Sequence, residues 1–126
     1  MDIEIDAELM DWALVRVTVG AQVSTHAVGL RMRDAVREGG YVLTSPVQSI
    51  DREKRLLRTK NSVYELRDPV DFYPEGELAY WSILVVNRAK TTPDRIEWLK
   101  LDGSVGRSMD RAEIAAAVDA WHRSRA

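Results

Sequence analysis

The stretch Tyr41 to Arg67, YVLTSPVQSIDREKRLLRTKNSVYELR, decides the fold class. Val47 and Ile50 lead into a charged turn at Asp51, Arg52, Glu53 and Lys54. Leu56 and Leu57 follow, then a polar turn at Lys60 and Asn61, then Val63, Tyr64 and Leu66. Polar turns flanked by β-branched and aromatic residues predict three short strands in an antiparallel meander.

On the N-terminal side the spacing predicts two helices. Over residues 22–38, Thr25, Val28, Met32, Ala35 and Val36 share a helical face, with Arg31, Asp34, Arg37 and Glu38 off it. Ser24 suits the N-cap, and Gly39 and Gly40 suit the stop. Residues 6–19 carry two periods. Met10, Ala13, Leu14 and Val17 give a helix face, whereas Ala13, Val15, Val17 and Val19 alternate as in a strand. Asp6 as cap and Glu8 in the first turn favour the helix.

On the C-terminal side, Asp68 to Glu77, DPVDFYPEGE, reads as a loop. Tyr80 to Arg88, YWSILVVNR, is near-continuously apolar and predicts a strand buried on both faces. A turn over Lys90 to Asp94 leads into an alternating segment, Arg95 to Leu101, and a second turn at Asp102 and Gly103. Asp110 and Glu113 have capping-box spacing, Met109 and Ile114 form the staple, and Ile114, Ala117, Val118 and Trp121 make one stripe. The expected fold is α+β. An antiparallel sheet of about five strands carries two N-terminal helices and one C-terminal helix, all in a single domain over 1–126.

Composition narrows the function classes. The chain has 126 residues, 45% hydrophobic and 30% charged, with net charge -2, so no global basic field points to nucleic acid. It has no cysteine, which removes disulfides, thiolate metal sites and cysteine nucleophiles. The acidic start MDIEIDAELMD lacks the basic-then-apolar order of a signal peptide, and Leu78 to Asn87 is too short to span a bilayer. The expectation is a cytoplasmic protein without membrane contact.

Reactive constellations are sparse. His26 and His122 are the only histidines; His26 has no carboxylate three or four residues away, and Asp119, three before His122, is a single carboxylate, short of the three or four ligands a metal site needs. No metal and no cofactor is expected. A G-x-S-x-G elbow is missing, and the serines fall at caps, turns and strand edges. Gly103 to Ser108 resembles a glycine-rich loop before a helix, but Asp110 at the cap opposes an anion there. No catalytic residue is assigned. Arg107, Glu97, Tyr64 and His26 are the groups that a scattered enzyme site would need.

Charge is segregated along the chain. Asp2, Glu4, Asp6, Glu8 and Asp11 give -5 over the first fifteen residues. Between residues 31 and 60, eight cations face four carboxylates, a balance of +4. Over 65–78, five carboxylates less Arg67 give -4. Such segregation steers a complementary partner. Phe72 and Tyr73, bracketed by Pro69 and Pro74, suit an interface anchor.

Thr44 to Val47, Ile50, Asp51 and Arg58 to Leu66 together resemble a hairpin pattern of small uncharacterised phage and prophage proteins. In these a strand ends near Thr-Ser-Pro, and Thr-x-(Gly/Asn)-Ser-x-Tyr-x-Leu follows. The likeness covers about 23 residues. Asn61 stands where many have glycine, which suits a left-handed turn position. The resemblance implies a mobile-element origin and carries over no site.

The leading expectation is a non-enzymatic protein–protein interaction module with an unidentified protein partner. Its partner-binding candidates are Asp68, Asp71, Phe72, Tyr73, Glu75 and Glu77. One concrete version is an inhibitor of a host or defence complex whose acidic surface occupies a nucleic-acid groove. The alternative is a nucleic-acid-binding regulator using Arg52, Lys54, Arg55, Arg58 and Lys60. A third reading is an enzyme with an assembled site. Trp12, Trp81, Trp98 and Trp121 are expected in or near the core, with a homodimer face as the other use.

Overall fold

Ala7–Val19 forms a 13-residue strand, β1, that every other part of the sheet depends on. In the computed structural model, which describes residues 4–33, 36–70 and 75–124, it is followed by β2 (Gln22–Arg33) and β3 (Val36–Leu43). Next come β4 (Val47–Asp51), β5 (Leu56–Thr59), β6 (Val63–Leu66), α1 (Glu75–Ala89), β7 (Arg95–Leu99), β8 (Val105–Asp110) and α2 (Arg111–Ser124). The strands form one sheet in the order β3-β2-β1-β6-β5-β4, with β7 also on β1 and β8 on β7. The described strand pairs are antiparallel except β1 with β6, which is parallel over Ala7 to Leu9, and Trp12 makes a further isolated parallel bridge with Pro69.

β1 therefore serves two partners along one edge: β6 near its start and β7 over Leu14 to Thr18. The change of partner falls at a bulge. Met10 pairs with Leu30 and Ala13 with Val28, so Asp11 and Trp12 oppose the single residue Gly29. Asp11 adopts φ 51°, the left-handed conformation that a bulge requires and that Asp tolerates. The extra residue also exchanges the faces of the strand, because side chains alternate with period two. Before the bulge Ala7 and Leu9 point into one core cluster, which Trp12 joins after it, with Ala27, Leu57, Tyr64 and Leu66. Beyond it Ala13, Val15 and Val17 point into the other, with Val28, Trp81, Val85, Ile96, Trp98, Met109 and Ile114.

The helices cover the second cluster. Trp81, Ser82 and Val85 lie on one face of α1 and are essentially inaccessible. Trp81 packs edge-on against Tyr41 at 4.6 Å and near Trp98 at 6.3 Å, and Tyr80 meets Trp121 of α2 at 5.3 Å. Three of the four tryptophans are thus buried and Trp121 is half-buried. α2 begins with the reciprocal cap expected of its sequence: Glu113 N–H donates to Asp110 Oδ1 at 2.9 Å, and Asp110 N–H to Glu113 Oε1 at 3.3 Å. The Asp94 carboxylate accepts the Gly20 N–H at 2.7 Å and pairs with Arg111, contacts that hold it below its usual range and tie the β1–β2 turn to α2.

The expected three helices and five-stranded antiparallel sheet are corrected, among the described residues, to two helices and eight strands in a mixed sheet. The two N-terminal helices are instead β1, β2 and β3. Val15, Val17, Thr18, Val19, Val23 and Thr25 are β-branched and pack well on a pleated surface, which outweighs the helical spacing. Gly39 and Gly40 lie inside β3 rather than stopping a helix. The apolar run from Tyr80 to Arg88 is helical, since a run without polar breaks has no period to read. Gly106 to Ser108 is part of β8, not a loop. The 41–67 segment does contain the antiparallel hairpins β4–β5 and β5–β6.

Two predictions follow from these contacts. A Cβ on Gly29 would lie 3.0 Å from the Met10 carbonyl oxygen and 3.1 Å from Trp12 Cβ, both at the bulge. Gly29→Ala is expected to cost about 1–3 kcal/mol in urea unfolding, because backbone and not a flexible side chain must move. His26, buried on β2, has its imidazole pushed below the usual range by burial, opposed by the Thr44 carbonyl hydrogen bond and helped by the Arg88 charge. As pH falls below about 6.5 the unfolded chain takes up a proton that folded His26 refuses, so stability falls. The melting temperature should drop from pH 7.5 to 5.5, above the carboxylate range, and His26→Asn should flatten that slope.

Candidate nucleic-acid interface

The hairpin β4–β5 is built to expose cations. Leu57 and Thr59 are buried under the strand while Arg58 between them faces outward, by the period-two rule. In the connecting turn the Lys54 N–H donates to Asp51 Oδ1 at 3.0 Å, and Arg55 closes it with φ 56°. The Leu66 N–H donates to the Arg55 carbonyl at 2.8 Å, fastening the turn to the end of β6. At the other end of β5, the Thr59 hydroxyl accepts the Ser62 N–H at 3.2 Å, with Lys60 exposed on the turn. Asn61 is not left-handed; Arg55 holds the left-handed position of this segment.

Arg52, Lys54, Arg55, Arg58 and Lys60 are all exposed, and none has a carboxylate partner among the described residues. Four arginines elsewhere differ. Arg16 forks onto Glu97 at 2.9 and 3.2 Å, which raises the guanidinium pKa and holds the carboxyl below its usual range. Arg67 meets Glu8 at 2.6 Å, Arg107 meets Glu113 at 3.5 Å, and Arg111 pairs with Asp94.

Two clefts flank the hairpin. One of about 230 Å³ lies where β1 changes partner, lined by Trp12, Arg52, Arg55, Leu66, Arg67, Asp68, Pro69 and Leu101. Its rim is held by the Trp12 Nε1–H donating to the Arg67 carbonyl at 2.9 Å, and by the Val70 N–H donating to the Trp12 carbonyl at 2.9 Å. Arg67 is neutralised by Glu8, whose hydrogen bond raises its pKa further. Arg52 and Arg55 remain as two uncompensated guanidiniums over an apolar floor of Trp12 and Leu66, with Asp68 as the opposing carboxylate. The second cleft, about 310 Å³, is lined by Ser49, Ile50, Asp51, Lys54, Leu56 and Arg58.

Of the acidic candidates, Asp68 is exposed in the first cleft. Asp71, Phe72 and Tyr73 lie outside the described residues. Glu75 and Glu77 belong to the first turn of α1, so the loop expected over 68–77 ends before Glu75. Three carboxylates of the acidic N-terminal stretch are engaged: Asp6 Oδ2 accepts the Val63 N–H at 2.7 Å, Glu8 holds Arg67, and Asp11 makes an interaction of its own. The scattered enzyme set does not converge. Glu97 is tied to Arg16, Tyr64 is buried under Arg31, Arg107 is beside Glu113, and His26 lines a different cleft.

Among the described residues no group of three His, Asp or Glu side chains could hold a metal ion, and no helix is long and apolar enough to cross a membrane. Trp12 and Arg67 complete the first cleft and were missed in sequence, because their placement depends on the bulge and on a strand more than fifty residues away. Compared with known proteins, the chain matches no family model, no curated protein and no solved structure.

Trp12→Phe keeps the cleft floor but deletes the donor to the Arg67 carbonyl. It should lower the unfolding free energy by about 1 kcal/mol in urea titration, the usual worth of one such bond.

Proposed function

We propose that this protein is a small nucleic-acid-binding module that engages the phosphate backbone through its β4–β5 hairpin. The observation that carries this reading is the clustering on one hairpin of five cations without carboxylate partners among the described residues, whereas Arg16, Arg67, Arg107 and Arg111 are paired. From Arg55 to Lys60 they extend over about 16 Å at ~3.3 Å per residue, a span that meets two or three successive phosphates of an extended strand. Against the net charge of -2, a local cluster of this kind is what draws an anionic ligand to one place on the surface. The interaction-module reading through an acidic surface has less support, since Asp6 and Glu8 already serve internal partners.

Fluorescence anisotropy with a labelled single strand and its duplex tests the proposal. Five phosphate contacts give a log–log salt slope of about -3.5 for the single strand, so affinity should fall about 100-fold between 50 and 200 mM salt. Replacing Arg52, Lys54, Arg55 and Arg58 together by alanine should abolish binding. No binding at 50 mM salt, or undiminished binding by the quadruple variant, rejects the reading. Capture of an acidic protein by the same hairpin, with neither oligonucleotide bound, would favour a protein partner instead.

A further inference from the structure

A third cleft, of about 270 Å³, shares no lining residue with the two clefts that flank the basic hairpin. Val17 and Val19 of β1, Leu43, Pro46 and Val85 give it apolar walls, and Gln22, Ser24, His26 and Arg88 supply the polar groups. Ser24 and His26 are two apart on β2 and so share a face. Ser24 Oγ lies 2.8 Å from His26 Nε2, and His26 Nδ1 lies 2.9 Å from the Thr44 carbonyl oxygen.

These distances determine where the protons sit. A carbonyl oxygen only accepts, so His26 carries its proton on Nδ1 and donates it to Thr44. Nε2 is then a bare acceptor in the neutral ring, and the hydroxyl beside it donates. Burial keeps the ring in that neutral form. Thr44 is itself fixed: its N–H donates to the Ala27 carbonyl at 2.9 Å, and its hydroxyl accepts the Ala27 N–H at 3.0 Å while donating to the Ser45 carbonyl at 2.8 Å. A hydroxyl, a base that accepts its proton and a rigid group that orients the base are the three parts of an activated nucleophile. Among the described residues Arg88 is the one cation lining the cleft; one of its guanidinium N–H groups donates to the Leu43 carbonyl at 3.1 Å, and the others remain for a developing negative charge.

We propose that Ser24 is a nucleophile toward small acyl esters, with His26 as its general base and the Thr44 carbonyl as the orienting group. Ser24 Oγ bonds to the ester carbonyl carbon while its proton passes to His26 Nε2, and the carbonyl oxygen takes the negative charge. Collapse breaks the bond to the alkoxide, which takes the proton from Nε2 and leaves as the alcohol. Water then attacks the acyl carbon of the Ser24 ester, giving a proton to Nε2. Ser24 Oγ departs and recovers that proton, and the carboxylic acid is released. The apolar walls and the cleft volume select a short aliphatic acyl group.

The test uses the full chain with a fluorophosphonate reagent and with p-nitrophenyl acetate and butyrate. Peptide mass mapping of the wild type is expected to place one adduct on Ser24, and ester turnover should fall at least about 100-fold in Ser24→Ala, the usual contribution of such a base–nucleophile pair. His26→Asn keeps an N–H for Thr44 and removes the acceptor for Ser24, so it should lose turnover and labelling while its circular dichroism stays that of the wild type. A wild-type chain that gains no adduct on Ser24, or a folded Ser24→Ala that hydrolyses both esters at the wild-type rate, overturns the assignment. The labelling result needs no variant, so a substitution that fails to fold leaves the proposal decided.

Discussion

One extra residue in β1 holds this architecture together. The bulge at Asp11 and Trp12 lets a single strand be shared by two sheets' worth of partners, because it turns the strand away from β6 just where β7 takes over its edge. It also exchanges the faces, so the same strand feeds the cluster under the meander with Leu9 and the cluster under the helices with Val15. The backbone groups released at the fork are not orphaned. Leu9 and Trp12 carbonyls accept N–H groups from Arg67 and Val70, and the Trp12 indole donates to the Arg67 carbonyl. Gly29 completes the device, since only a residue without a Cβ sits comfortably against the bulged backbone.

The fork also organises charge. It brings Glu8 to Arg67 and Asp6 to the start of β6, so carboxylates that look like a free acidic arm along the chain become internal partners. The β4–β5 hairpin lies outside that neutralisation. Its cations stay unpaired among the described residues, and the residual field is basic at this surface although the whole chain is slightly acidic. Surface ion pairs such as Arg107 with Glu113 add little stability in water.

The two proposed sites use opposite physics. The hairpin acts by long-range, salt-screened attraction and tolerates mobile side chains. The Ser24–His26 cleft depends on short hydrogen bonds fixed by buried backbone, where a small displacement would matter. β2 supplies the second site and packs on β1, which supplies the floor of the first, so both rest on the same strand pair without sharing side chains.

Local signals were legible in the sequence wherever the cause is local. The capping box at Asp110 and Glu113, the alternation of Ile96 and Trp98, and the polar turns around Asp51 and Lys60 each depend on residues within a few positions, and each is found in the structure. Residues 6–38 misled because helical spacing and β-branching pointed in opposite directions, and only the neighbouring strands decide between them. The run Tyr80 to Arg88 misled because apolar residues fall on the half-buried sides of the helix as well as on its buried face, which leaves no clear period. The site residues divide in the same way. The cations of the hairpin could be read from their density along the chain, whereas Arg67 over Trp12, and Ser24 with His26 on Thr44, are meetings across the fold. By itself, then, the sequence determined the turns, the last helix and the basic ribbon. Tertiary structure decided the bulge, the shared strand and the pairing of every polar group that needs a distant partner, because hydrogen bonds and burial are satisfied between segments and not within them.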